Sequence, residues 1–285
     1  MISCELHPSL FAVWTAVVGF LNSEFIAAFL SALAGAGLGV WGAQRVALRT
    51  AIRNELLGAL RQANAVMVLA YTIANNTLGL KKQYVKDLVG QYQADREAAQ
   101  YAFEQMSRGE KPDIPTARAD MTKITPHTLP LDALRKLLFA GNVMPGKVLA
   151  LATMIDQSAA ELSHVINIRN DLIEEFKSSD APEHIRWHDF FGLKRPDGNT
   201  NALYADSMRA IALYTDDLIF YSSELAKELG LFAKGLKLKL DRRNVESPRA
   251  ASVDFSDATS QGLMPARDQY ESWLSGVQSE TDSSH

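Results

Sequence analysis

The chain has a single cysteine, Cys4, among its 285 residues, and it lacks several short motifs that mark common catalytic sites. One cysteine excludes an internal disulfide and a cysteine-rich zinc module. The sequence contains no P-loop, no G-x-S-x-G nucleophile elbow and no H-E-x-x-H zinc motif. The glycine-rich stretch 35–39 lies in an apolar run and has no phosphate-binding lysine. We therefore expect no cofactor and no evident catalytic site, so the chain is more simply explained as a non-enzyme.

An excess of positive charge is also missing, because 29 Lys and Arg residues stand against 33 Asp and Glu residues, a net charge of −4. A protein that coats nucleic acid usually carries a basic excess, so the composition argues against that partner. Hydrophobic residues make up 47% and charged residues 22% of the chain. Both values are near those of folded proteins, which excludes wholesale disorder.

Charge is absent altogether from residues 25–44. That run is about as long as the hydrocarbon core of a bilayer requires, and Trp41 near its end suits the headgroup region. Arg45, Arg49 and Arg53 follow at once, which marks the cytoplasmic flank by the positive-inside rule. The pattern predicts a single-pass transmembrane helix over 25–44 with the C-terminal region in the cytosol and the lipid bilayer as a partner. A buried core helix of a soluble protein is the alternative.

The segment 1–24 is harder to place. Residues 10–21 are apolar but too short to span a bilayer comfortably, and no basic region precedes them as it would in a secretory signal. We interpret this segment as interfacial or re-entrant, with a two-pass hairpin as the second choice.

Small side chains recur every fourth residue in the apolar run, at Ser31, Gly35 and Gly39. This spacing places them on one stripe of a helix, where a second backbone can approach closely. The stripe predicts membrane-helix packing and a homo-oligomer.

Three later runs show apolar residues at alternating spacings of three and four: residues 52–84, 148–176 and 204–236. That spacing is typical of helices packed as in coiled coils, and alternating strand patterns are absent. The fold class we predict is all-α, in which the N-terminal transmembrane helix leads into a cytosolic bundle of long, coiled-coil-like antiparallel helices. The boundaries follow the prolines and composition: a membrane-proximal long helix over 45–107, a proline-containing connector over 108–130 and a helical bundle domain over 131–245.

Residues 246–285 are rich in Ser, Asp and Glu, so we expect an acidic and mostly disordered tail. Within the tail, Tyr270, Trp273 and Leu274 fall on one helical face. They predict either docking on the protein's own bundle or a tethered motif that binds the groove of a protein partner.

Polar residues inside the helical runs offer two further sites. His184 and His188 lie four residues apart and could share a metal, but the aromatic residues after them favour a wedge at the end of the bundle, so we expect no metal there. Arg169 occupies an otherwise apolar stripe, and Asp216 and Asp217 adjoin a polar position of another. We predict a polar layer in which Arg169 meets one of these aspartates and fixes helix register.

One basic group stands near the end of the last long run: Lys234, Lys237, Lys239, Arg242 and Arg243. A solvated helix end explains such a group, because cations stabilise helix C-termini. Contact with anionic lipid is the alternative for a tethered protein.

The function we predict is a membrane-anchored helical interaction protein, a signalling, scaffold or effector subunit that acts through oligomerisation and partner binding at the cytosolic face. A membrane-disrupting toxin or defence effector is an alternative, since the charge-free stretch 62–80 could insert on activation, although we expect it to be bundle core. A membrane-tethered metal-dependent hydrolase is another, which requires His184 and His188 to converge with Asp216 and Asp217. A structural spacer that binds no ligand is the last alternative.

Overall fold

The computed structural model describes residues 8–21, 24–110, 120–140 and 144–277. Its contacts divide the chain into two compact units, Met1–Leu56 and Leu57–His285, here called unit 1 and unit 2. The described residues form helices and no β-strand, apart from one isolated bridge between Lys194 and Thr200. The all-α class is therefore confirmed.

The elements run in the following order along the chain: α1 Pro8–Leu21, α2 Glu24–Leu80, a π-helical turn Lys81–Val85, α3 Lys86–Ser107, α4 Leu131–Leu138, α5 Gly146–Ser178, α6 Glu183–Phe191, α7 Leu203–Asp241, α8 Ser256–Ser260, a 3₁₀ turn Arg267–Tyr270 and α9 Glu271–Gly276. Residues 120–130 have no helix. The expected single helix over 45–107 is thus interrupted by a π-helical turn.

Unit 1 has large apolar side chains on its surface. In α1, Val13 and Trp14 are exposed, and in the first part of α2 so are Leu38, Val40 and Trp41. The helical stretch Ser31–Ser107, which extends from unit 1 into unit 2, contains an 18-residue window of mean hydropathy 1.3 that is apolar and long enough to cross a membrane. That window is 39% buried inside the structure. No described side chain of residues 31–56 is buried, so the window includes residues of unit 2.

Unit 2 is a helical bundle built around α5 and α7. The two helices are antiparallel, because Lys147 at the start of α5 pairs with Glu228, whereas Arg169 further along α5 contacts Met208. Their predicted apolar stripes face each other, and the following members are buried: Val148, Ile155, Leu162, Ile166, Ile173, Met208, Ile211, Leu218, Leu225 and Leu229. Residues 62–80 of α2 contribute to the same core, as Val66, Met67 and Ile73 are at most 1% exposed.

The π-helical turn ends the apolar stripe of α2 one residue out of register. The periodicity predicts Tyr84 as its last buried member, yet Tyr84 is 50% exposed and Val85 beside it is buried. A π turn accommodates an extra residue, so the side chains after it are rotated relative to a continuous α-helix. The buried stripe resumes on α3 with Tyr92.

Helix α6 closes one end of the bundle as an aromatic wedge, in agreement with the sequence. Phe190 and Phe191 pack with Tyr92 and Tyr204, the closest pair being Phe190 and Tyr204 at 4.3 Å between ring centroids. Gly192 ends the helix with φ +61°, and a Cβ there would lie 2.8 Å from the Cβ of Ala205. Only glycine fits this turn, which brings α6 against the start of α7.

The segment after α7 differs from the expected disordered tail. Within residues 246–277 the side chains of Phe255, Leu263 and Tyr270 are buried, and Phe255 lies 5.5 Å from the ring of Tyr71 on α2. This segment thus packs on its own bundle, the first of the two outcomes considered above. Residues 278–285 lie outside the described residues.

Candidate functional site

The small residues of the predicted membrane stripe are exposed on α2. Ser31, Gly35 and Gly39 all lie on the surface of unit 1. A Cβ added at Gly35 or Gly39 would meet nothing within 4 Å. A second helix therefore has room to approach this face, as the small-residue pattern requires.

Arg169 is completely buried, but its partners are not the predicted ones. Its guanidinium donates to the carbonyl oxygens of Thr122 (2.9 Å) and Asp120 (3.1 Å), and it lies 5.6 Å from the ring of Tyr204. The predicted layer with Asp216 or Asp217 is wrong, because backbone carbonyls of the connector satisfy this charge instead. The arginine thus fastens residues 120–124 to α5, and Asn170 adds two hydrogen bonds to the backbone of Ile124.

The paired aspartates have separate partners in unit 2. Lys81, in the π-helical turn, donates to Asp216 at 2.6 Å and to the carbonyl of Leu263 at 2.9 Å. Asp217 accepts a hydrogen bond of 2.8 Å from the hydroxyl of Tyr270. Burial raises the pKa of the Asp217 carboxyl, and this hydrogen bond offsets part of that effect. Both aspartates therefore hold the C-terminal segment against the bundle.

Glu224 provides a further attachment for the same segment. It is 3% exposed and accepts hydrogen bonds from Lys227 and Arg267, both at 2.8 Å. Burial opposes its ionisation, but the two cations outweigh burial and lower the pKa of the Glu224 carboxyl. A buried carboxylate with two cationic partners is stable in the ionised form, so this site is structural.

The proposed partner motif is largely committed to contacts within the protein. Tyr270 stacks on Phe220 with 3.7 Å between ring centroids, and Trp273 lies 5.0 Å from Tyr221. Trp273 and Leu274 are half-buried. A partner that bound this motif as a tethered peptide would first have to displace it from α7.

The two histidines line an open groove of about 890 Å³ between α3 and the loop after α6. His188 is buried and stacks on Phe103 at 4.1 Å, and burial lowers the pKa of its imidazole. Arg96 and Lys194 line the same groove, with the Nε of Arg96 held by the carbonyl of Phe191 at 2.9 Å. Glu104 also lines the groove, and Arg195 there pairs with Asp189, so Arg96 and Lys194 leave a small excess of positive charge. Together with the aromatic wall, this excess suits an anionic and partly apolar ligand.

A smaller cavity of about 330 Å³ lies beside the π-helical turn. Its walls include Tyr84, Asp87, Tyr92, Asp120 and Tyr204. The acidic side chains give this cavity a charge opposite to that of the groove.

Within the described residues, no group of three or more His, Cys, Asp and Glu side chains is placed to hold a metal ion. The set required for a hydrolase is also divided, since His188 packs on Phe103 whereas Asp216 and Asp217 bind Lys81 and Tyr270. The described residues therefore do not form the shared pocket that the hydrolase alternative requires.

The basic group lies at the C-terminal end of α7. Lys234, Lys239, Arg242 and Arg243 are exposed, while Lys237 is half-buried and pairs with Asp241 at 2.5 Å. The group is solvent-facing, as both explanations for it require.

Sequence reasoning missed Asn64 and Arg96. The Asn64 side chain bonds the backbone of residues 249 and 251, and Arg96 forms part of the groove. Asn64 lies in the charge-free stretch 62–80, where a polar side chain was a signal for a polar contact, but its backbone partners have no sequence signature.

In comparisons with known proteins, the chain matches no family model, no curated protein and no solved structure.

Proposed function

We propose that the protein is a membrane-anchored helical interaction protein, in which residues 25–44 form a single transmembrane helix and the C-terminal region faces the cytosol. The observation that carries the proposal is the surface of unit 1. The large apolar side chains Phe29, Leu33, Leu38 and Val40 are 54–69% exposed there. Contact with lipid would remove this apolar surface from water, at a gain of roughly 25 cal/mol per Å².

The residues after the apolar run support the orientation. Arg45, Arg49 and Arg53 are exposed, and the guanidinium of Arg45 lies 5.1 Å from the ring of Trp41. An aromatic ring followed by arginines is typical of the boundary between hydrocarbon and the cytoplasmic headgroups. Unit 2 has a separate apolar core, so it has no need of residues 25–44 to bury its own helices.

Charge placed in the span tests the anchor. Leu38→Arg should strongly reduce the membrane-bound fraction of the full-length protein, since an arginine near the centre of a membrane helix costs about 2.5–3.5 kcal/mol. Leu213→Arg is the matched control, because Leu213 is 56% exposed in unit 2 against 69% for Leu38. Equal membrane fractions for the two variants would contradict the proposal.

Oligomerisation through the small-residue stripe is the second part of the proposal. Gly35→Leu combined with Gly39→Leu fills the open face with bulky side chains, and should convert the oligomer to monomer in detergent or in an in-membrane reporter assay. An oligomer that survives both substitutions would exclude this contact.

Partner binding at the cytosolic face is the third part, and the groove beside α6 is its proposed place. The cationic Arg96 and Lys194 predict an acidic partner segment. Photo-crosslinking from Gln100 in the groove, compared with Gln93 on the same helix, should give a partner adduct only from the groove position.

Release of dye from vesicles by the purified protein would favour the membrane-disrupting effector instead.

A further inference from the structure

One end of unit 2 gathers the first residues of its α2 portion, the end of α7 and the end of α4. Met67 on α2 lies beside Gly230 of α7, as a Cβ at Gly230 would be 3.7 Å from the sulfur of Met67. Three residues earlier, Asn64 bonds the chain that follows α7. Gln62 donates to the carbonyl of Leu137, which brings the end of α4 to the same place. We call this end the base of unit 2.

The base carries more positive than negative charge. Its exposed basic side chains are Lys136, Lys234, Lys239, Arg242, Arg243 and Arg249. The nearby acidic residues Asp241, Glu228 and Asp132 pair with Lys237, Lys147 and Arg135, and Glu246 lies beyond the end of α7. The six basic side chains named above are outside these pairs and face solvent.

Two large apolar side chains are exposed at the base as well. Phe139 follows α4 and is 74% exposed, and Leu238 lies between two basic residues of α7 and is 59% exposed. Cations near a helix C-terminus stabilise the helix dipole, but that effect gives no reason for exposed apolar neighbours. Basic residues interleaved with aromatic and leucine side chains are typical of surfaces that contact a bilayer.

We infer that the base of unit 2 rests on the surface of an anionic lipid bilayer. This inference rests on the proposed function, because residues 45–56 alone connect the apolar run to Leu57. Twelve residues reach at most about 43 Å when fully extended, so an anchored protein keeps the base within reach of the headgroups. There the basic side chains attract anionic lipid, while Phe139 and Leu238 insert among the headgroups.

A probe at Leu238 tests the inference in the full-length protein. Cys4→Ser removes the only cysteine, and Leu238→Cys then carries an environment-sensitive fluorophore in proteoliposomes. We expect a blue shift, and quenching by spin-labelled lipid, when phosphatidylserine is included in phosphatidylcholine vesicles, and loss of both in about 0.5 M salt because the attraction is screened. Leu203→Cys at the other end of α7 is the control, since Leu203 is equally exposed at 58% and should not respond.

A variant in which the basic side chains of the base are replaced by neutral ones gives the second readout. Each basic residue near an anionic surface changes the contact equilibrium about fivefold, so replacing Lys234, Lys239, Arg242 and Arg243 by glutamine should reduce it more than a hundredfold. If this variant loses its helical circular dichroism, the contact is tested instead by the salt dependence of the Leu238 signal in the protein that keeps its basic residues.

Different results overturn the membrane anchor and the contact at the base. A protein that floats with vesicles but shows the same Leu238 signal with and without phosphatidylserine overturns contact at the base and leaves the anchor intact. A protein that floats with neither kind of vesicle overturns the anchor, and the contact at the base with it.

Discussion

Replacing Arg169 by methionine removes the buried charge that holds the connector to α5. Two hydrogen bonds from a charged donor are lost, each worth about 1.5–3 kcal/mol. Methionine restores part of this loss, since the burial cost of the guanidinium disappears and the exposed residues Asp120 and Thr122 can return their carbonyls to water. We expect a net destabilisation of roughly 2–4 kcal/mol, which lowers Tm by roughly 5–15 °C for a domain of this size.

Chemical denaturation of the full-length protein in detergent measures this loss, and amide exchange locates it. Exchange should accelerate at residues 120–124, where the amide of Ile124 donates to Asn170. Arg169→Lys is the control: lysine keeps the charge but cannot span both carbonyls, so at least half of the loss should remain. Arg169→Met and Asp217→Asn should be additive within about 0.5 kcal/mol. A larger coupling, or an unchanged stability in Arg169→Met, would refute the assignment of its partners.

Two further predictions concern the C-terminal segment and the α6 turn. Asp217→Asn keeps an acceptor for Tyr270 and removes a carboxylate whose pKa is raised by burial. At pH 7 the variant should therefore be at least as stable as the parent. This advantage should vanish as the pH falls below 3.8, the ordinary pKa of an aspartate, because the parent carboxyl is then protonated in both the folded and the unfolded state. A loss above about 1 kcal/mol at pH 7, measured by denaturant titration, would contradict this. Gly192→Ala should cost about 2–4 kcal/mol, since it adds a 2.8 Å clash to a left-handed φ, whereas Gly262→Ala with φ +62° and open space should cost about 1–2 kcal/mol. Equal shifts of Tm in the two glycine variants would exclude the clash.

The bundle itself was predictable because its main helices obey a simple periodic rule. The spacing of apolar residues in 148–176 and 204–236 requires each helix to bury one stripe, and α5 and α7 bury theirs against each other. The aromatic residues after His188 likewise indicated a wedge, since such side chains are seldom left in water at the end of a helix. The π-helical turn was not predictable, because the sequence around Tyr84 continues the α-helical spacing without a break.

The contacts of Arg169 and of the C-terminal segment lay beyond pattern reasoning for a different reason. A buried arginine needs hydrogen-bond acceptors, and a sequence reveals only the side-chain acceptors, such as carboxylates. Arg169 instead uses the backbone carbonyls of Thr122 and Asp120. Every residue has such a carbonyl, so the sequence gives no sign of which ones are used. The C-terminal segment buries Phe255, Leu263 and Tyr270, which no continuous helix connects. Isolated anchors joined by polar residues resemble a disordered composition until the receiving surface is known.

Flotation of the full-length protein on a density gradient with cell membranes tests the central claim most directly. If lipid surrounds residues 25–44, the protein floats with the membranes, resists extraction by alkaline carbonate and is released only by detergent. A full-length molecule that remains in the supernatant after high-speed centrifugation without detergent would contradict the anchor.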